Sequence, residues 1–223
     1  MSKNYFTELN PNPLVGFLDK PSQDFTKNDL MKFIKENGIK MINFRYVGGD
    51  NRLKTMNICI NSLKHLDTVL STGERVDGSS LFSYIEAGSS DLYVIPRFRS
   101  AFVDPFSSIP TLNILCSYFN KDGEPLASSP EYILHKAHNV LKEKTGLTFE
   151  TMGELEYYLI SEKDDLFRAS DQRGYHESSP YNKFEDFRTE ALQEIVRCGG
   201  QVKYAHSEVV TFLSTIWIMN RMK

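Results

Sequence analysis

The chain has 223 residues, long enough for one large domain or two small ones and for a sizeable buried core. Apolar residues make up 40% and charged residues 25%, the composition of an ordinary globular chain rather than a disordered one. The formal charge of -3, with signs mixed along the chain, leaves no broad basic field, so neither nucleic acid nor an anionic membrane is expected as a partner.

Cys59, Cys116 and Cys198 are far apart and lack CxxC spacing, which suggests neither a disulfide framework nor a zinc site. A reducing, cytoplasmic setting fits. Residues 1–7 are polar with no apolar segment of the secretory kind, and no stretch approaches the length needed to span a bilayer.

Residues 10–25, rich in Pro and Asn, read as irregular. Thr26 then looks like a helix N-cap with Asp29 three residues on, followed by the apolar stripe Leu30, Phe33 and Ile34 and a stop at Asn37-Gly38. Residues 39–47 and 53–61 are apolar and β-rich, and Gly48-Gly49-Asp50-Asn51 between them supplies a reversing turn, so a hairpin is expected. A short helix near residues 62–72 precedes residues 73–90, whose glycines and serines read as a long polar loop of the kind that often carries function. Residues 91–96 and 111–119 read as further strands. Ser129-Pro130 is a helix start and Thr145-Gly146 its stop, with Ile133, Leu134, Ala137, Val140 and Leu141 on one face. A strand over 153–160, a helix over about 183–198 closed by Gly199-Gly200, and a strand over 202–209 complete the pattern.

Two of these strands could carry chemistry. In Gly153-Glu154-Leu155-Glu156-Tyr157-Tyr158, Glu154 and Glu156 share a face roughly 7 Å apart, since the strand rises about 3.3 Å per residue. Their repulsion is relieved by water or by a cation, and hard divalent ions such as Mg²⁺ or Mn²⁺ prefer carboxylate oxygens. On pattern alone the solvent-facing side of a half-buried strand is the commoner meaning. Over 202–209, Tyr204, His206 and Glu208 alternate onto one face. Glu208 could be a third ligand, although His-x-Glu by itself is more often a pair of surface polar groups. Asp77-Gly78-Ser79-Ser80 offers a carboxylate and two hydroxyls on a flexible backbone, which suits a polar turn or a grip on a small cation. No GxGxxG, phosphate-loop or Ser-His-Asp pattern occurs.

Taken in order, Asp77-Gly78-Ser79-Ser80, Ser90-Asp91, Asp104-Pro105-Phe106, Gly153-Glu154-Leu155-Glu156-Tyr157-Tyr158 and His206-Ser207-Glu208-Val209 resemble the motif series of the glutamine synthetases over roughly residues 38 to 209. Each motif is weak alone; their collinearity makes the match specific. The resemblance implies an α+β chain: an irregular N-terminus and β-grasp domain over 1–129, then over 130–209 the start of a catalytic domain built on an antiparallel sheet.

The activity so implied is ATP-dependent amide formation from glutamate and ammonia through γ-glutamyl phosphate, with Mg²⁺ or Mn²⁺ as cofactor. Matched residue by residue, Glu154 and Glu156 would bind two different metals and Glu208 would join Glu156 at the second. Asp77 matches an aspartate that binds ammonium and helps deprotonate it, Ser80 a neighbour of that site, and Tyr175 a tyrosine near it. Family rings set the Asp77 loop of one subunit against the next subunit's catalytic domain, so a homo-oligomer is implied for a full-length enzyme. Departures include Glu-Leu-Glu-Tyr-Tyr for the family's Glu-Pro-Glu-Phe-Phe, Arg97 after Pro96, and Tyr84 where a Trp is common.

The family's remaining metal ligands, its glutamate-binding arginines and most of its ATP pocket find no match, so the chain reads as a truncated fragment, expected to be inactive alone. Residues 210–223 resemble nothing in the family. One choice of their codons, read in a shifted frame, gives Phe-Ser-Ile-Asp-Asp-Met-Asp-Tyr-Glu-Gln-Asn-Glu, which ends like the family's next metal-binding segment, and a frameshifted tail is expected there. Two alternatives stay open: a non-catalytic assembly or regulatory protein derived from the family, and a relative that ligates another amine to glutamate.

Overall fold

Asn12 starts the first helix, α1 (Pro13–Leu18): its side chain accepts from the Leu14 N–H at 2.9 Å, and Pro13 occupies the first turn where its missing N–H costs nothing. This is a computed structural model that describes residues 7–162, 165–168, 172–210 and 212–221. Its two units divide between Val140 and Leu141.

In the first unit the cap expected at Thr26 is a full capping box on α2 (Lys27–Glu36), with Asp29 accepting from the Thr26 N–H at 2.8 Å and Thr26 Oγ1 accepting from the Asp29 N–H at 3.3 Å. The hairpin is β1 (Met41–Val47) and β2 (Leu53–Cys59), antiparallel, with Asn43 opposite Asn57. The helix α3 (Leu63–Thr72) is capped by Ser62 and stopped by Gly73 at φ +66°, where a Cβ would stand 2.2 Å from the Val94 carbonyl oxygen. Only glycine fits that approach.

Residues 73–90 are not one long loop. They hold the strand β3 (Glu74–Asp77) and the short helix α4 (Gly78–Leu81) before β4 (Asp91–Pro96), the two-residue β5 (Phe102–Val103) and β6 (Thr111–Asn120). The sheet runs β2-β1-β6-β4-β3, with β5 alongside β6; β1 and β6 are parallel and the other pairs antiparallel. The core lies on one sheet face. Ile42, Phe44 and Tyr46 from β1, Leu112, Ile114, Cys116 and Tyr118 from β6, and Leu92 and Val94 from β4 meet Leu30, Phe33, Ile34, Leu66, Val69 and Leu70 of the helices. Burial pushes the Cys116 thiol up to about 12, which makes it a core side chain rather than a nucleophile.

The helix α5 (Pro130–Thr145) forms where Ser129-Pro130 placed it, yet Ile133, Leu134 and Val140 of its apolar stripe are about half exposed, at 55%, 53% and 46%. In the second unit β7 (Glu150–Tyr158), α6 (Glu185–Arg197) and β8 (Val202–Ser207) follow the expected order. The last strand, β9 (Leu213–Arg221), lies where a tail without an element was expected. It is the middle strand of an antiparallel sheet ordered β7-β9-β8. Tyr157 of β7 and Phe187 of α6 pack with ring centroids 6.2 Å apart, so α6 covers the sheet face opposite to Glu154 and Glu156. Among the described residues no helix is long and apolar enough to cross a membrane.

Candidate metal centre

Register assembles the acidic face of the second unit. Glu154 stands opposite Trp217 and Glu156 opposite Thr215; across β9, Thr215 stands opposite His206 and Trp217 opposite Tyr204. Directly paired residues of antiparallel strands point to the same side, so these side chains share one surface. Glu208, one residue past β8, adds the third carboxylate. One oxygen each from Glu154, Glu156 and Glu208 lie within 4.8 Å of one another; the first two residues are exposed and Glu208 is half-buried. Like charges this close repel unless a cation sits among them, and all-oxygen donors suit Mg²⁺ or Mn²⁺.

The surroundings of Glu208 are more built than a surface pair. Thr215 Oγ1 donates to Glu208 Oε1 at 3.0 Å, and His206 Nδ1 lies 3.3 Å from the same oxygen. His206 is not a surface group. It is buried, its Nε2 accepts from the indole N–H of Trp217 at 3.2 Å, and its ring stacks on His176 with centroids 4.5 Å apart.

Tyr175 lies at the rim, 57% exposed, with its ring 5.3 Å from His206. Its turn is clamped by the buried Ser207, whose Oγ donates to the Gly174 and Glu177 carbonyls at 2.6 and 3.1 Å. A Cβ on Gly174 would come within 2.6 Å of the Glu208 carbonyl oxygen, so glycine permits the approach. Thr215 and Trp217 belong to the site face but were missed in the sequence. Their signal was faint: two residues two apart in a segment with no alternation.

Asp77 and Ser80 form a separate cluster in the first unit. Asp77 caps α4, accepting from Ser79 N–H at 3.0 Å, Ser79 Oγ at 2.7 Å and Ser80 Oγ at 2.8 Å. Bonds from the Ser79, Ser80 and Ser90 hydroxyls hold the Asp77 carboxyl well below the usual carboxylate range. It is an exposed carboxylate, suited to holding a cation. Gly78 has no room for a Cβ, which would come within 2.8 Å of the Ser90 carbonyl oxygen.

Comparison with known proteins now adds to this geometry. Residues 38–121 match the family model described as glutamine synthetase, beta-Grasp domain. The match spans the whole sheet of the first unit, β1 to β6, and gives that sheet a β-grasp fold similar to that of the glutamine synthetases. Among curated relatives, glutamine synthetase of Clostridium saccharobutylicum is 28% identical over 191 residues, covering 83% of this chain and 42% of that protein. Glutamine synthetase of Staphylococcus aureus is 25% identical over 197 residues, covering 85% of this chain and 43% of its own length. Among solved structures, the cryo-EM glutamine synthetase of Plasmodium falciparum superposes with a TM-score of 0.69 at 18% identity over 88% of this chain and 45% of that one. Ligand-free GmaS gives 0.71 at 14% identity over 88% and 46%. At those identities the structural likeness shows the fold alone. The chain spans less than half the length of the relatives it matches.

Proposed function

We propose that these residues form the β-grasp and divalent-metal part of an ATP-dependent glutamate–ammonia ligase. The observation that carries the reading is the meeting of Glu154, Glu156 and Glu208 within 4.8 Å on one sheet face. Glu154 would hold one Mg²⁺ or Mn²⁺, and Glu156 with Glu208 a second. The ions would supply positive charge against the phosphate oxygens while ATP phosphorylates the γ-carboxylate of glutamate. Asp77, kept ionised by its serine hydroxyls, would face ammonium, with Ser80 fixing its rotamer. We expect the 223 residues by themselves to bind metal without making glutamine.

Mn²⁺ titration followed by electron paramagnetic resonance tests the reading. Saturable binding is expected, weakened at least about tenfold by Glu156→Gln, since metal affinity falls 10- to 100-fold even when an orienting partner of a ligand is lost. Absence of saturable binding in the unsubstituted chain, or indifference to Glu156→Gln, overturns it.

A further inference from the structure

We propose that Trp217 is a positioning residue that aims the Glu208 carboxylate through His206, an inference that rests on the metal reading above. An indole N–H can only donate, so the 3.2 Å bond from Trp217 Nε1 makes His206 Nε2 the acceptor and puts the ring proton on Nδ1. That proton points at the Ser207 carbonyl oxygen, 3.1 Å away, and at Glu208 Oε1, 3.3 Å away. Thr215 donates to the same Oε1, so both neighbours grip one oxygen and fix the carboxylate that meets Glu154 and Glu156.

In the other tautomer Nδ1 would be an acceptor facing a carboxylate, and with the ring reversed a C–H would stand there; either way the grip would be lost. Trp217 forbids either state. Packing alone does not account for the arrangement, because a buried imidazole with both nitrogens engaged has one proton placement that satisfies them, and the indole selects it. The diagonal from Trp217 to His206 across the β8–β9 pair is within the reach of aromatic side chains.

Two measurements on the full chain test the relay. Side-chain ¹⁵N NMR of the histidines, with the His206 signal identified by its loss in His206→Asn, reports the tautomer whether or not metal binds. The Nδ1–H form is expected, and a predominant Nε2–H form overturns the proposal. Mn²⁺ affinity is the second readout. Trp217→Phe should weaken binding about tenfold, as for other groups that orient metal ligands. His206→Asn places an amide N–H where Nδ1–H stood and should stay within about twofold of the unsubstituted chain; on that background Trp217→Phe should add no further loss, because coupled residues are not additive. An equal tenfold loss on both backgrounds shows that Trp217 does not act through His206 and overturns the relay. If the unsubstituted chain binds no Mn²⁺, the metal reading falls and the tautomer alone judges the relay, as it does if Trp217→Phe does not fold.

Discussion

The two units solve folding differently. Among the described residues every buried hydrophobic side chain but one lies in the first unit, where helices and sheet enclose a continuous core; the exception is Ile216. The second unit instead buries polar groups, His206, Ser207, Ser214, Thr215 and Arg188, and leaves Leu155, Met152 and Phe187 about half exposed. Its order rests on ladder bonds and on a side-chain network centred on Ser207 and His206. A net contribution of about 1 kcal/mol per hydrogen bond is smaller than the burial of a large apolar side chain. The β-grasp unit is therefore the stable element, and the unit bearing the acidic site is the one whose geometry is held by polar contacts.

The largest expected effect tests that contrast directly. Phe44→Ala deletes a ring with no exposed surface from the centre of the core and should cost about 3–5 kcal/mol, a large fraction of a domain's stability. Ile216→Ala removes the one fully buried apolar side chain among the described residues of the second unit from looser surroundings and should cost nearer about 2 kcal/mol, at the low end for such truncations. Urea titrations measure both, Phe44→Ala by far-ultraviolet circular dichroism and Ile216→Ala by emission of the single tryptophan, Trp217. Equal costs would break the comparison.

Hydrogen exchange gives a finer reading at lower amplitude. Amides of β1 and β6, interior strands of the first sheet, should exchange at least about tenfold more slowly than those of β7, an edge strand whose side chains are nearly all exposed. Comparable protection in β7 and β6 would show that the polar network stabilises as well as an apolar core does.

The same contrast explains what could be read from the sequence. In the first unit, caps and periodicity act locally and agree with the core, so Thr26 and the turn at Gly48-Gly49 marked their elements correctly. β3 escaped because an edge strand of Glu74, Arg75, Val76 and Asp77 carries three charges in four residues, which protects a sheet edge and resembles a loop. β9 escaped for a different reason. Ser214, Thr215 and Ile216 are buried in succession, so a middle strand covered on both sides shows no alternation to find. The carboxylates of the site were visible as a spacing in Glu154 and Glu156. The surroundings of His206 were not, because its partners Trp217 and His176 come from a strand and a turn that no local pattern connects to it.

The smallest effect lies back in the first unit, at the cap of α2. Burial raises the Asp29 carboxyl, but the bonds from Lys20 at 2.7 Å and from Thr26 outweigh it, and the net displacement is downward from 3.8. A carboxylate depressed in the folded state contributes stability that is fully present above its unfolded value and is lost as the pH falls through the folded one. Asp29→Asn should therefore cost up to about 1 kcal/mol near neutrality, the usual scale of a cap with a half-exposed ion pair. The cost should shrink as the unsubstituted chain is acidified below 3.8, because protonation of Asp29 then removes the same charge that the substitution does. Urea midpoints of the two chains, compared from pH 7 downward, should converge. A gap that widened on acidification would mean that the folded-state value is raised, and that burial rather than Lys20 and Thr26 governs this carboxyl.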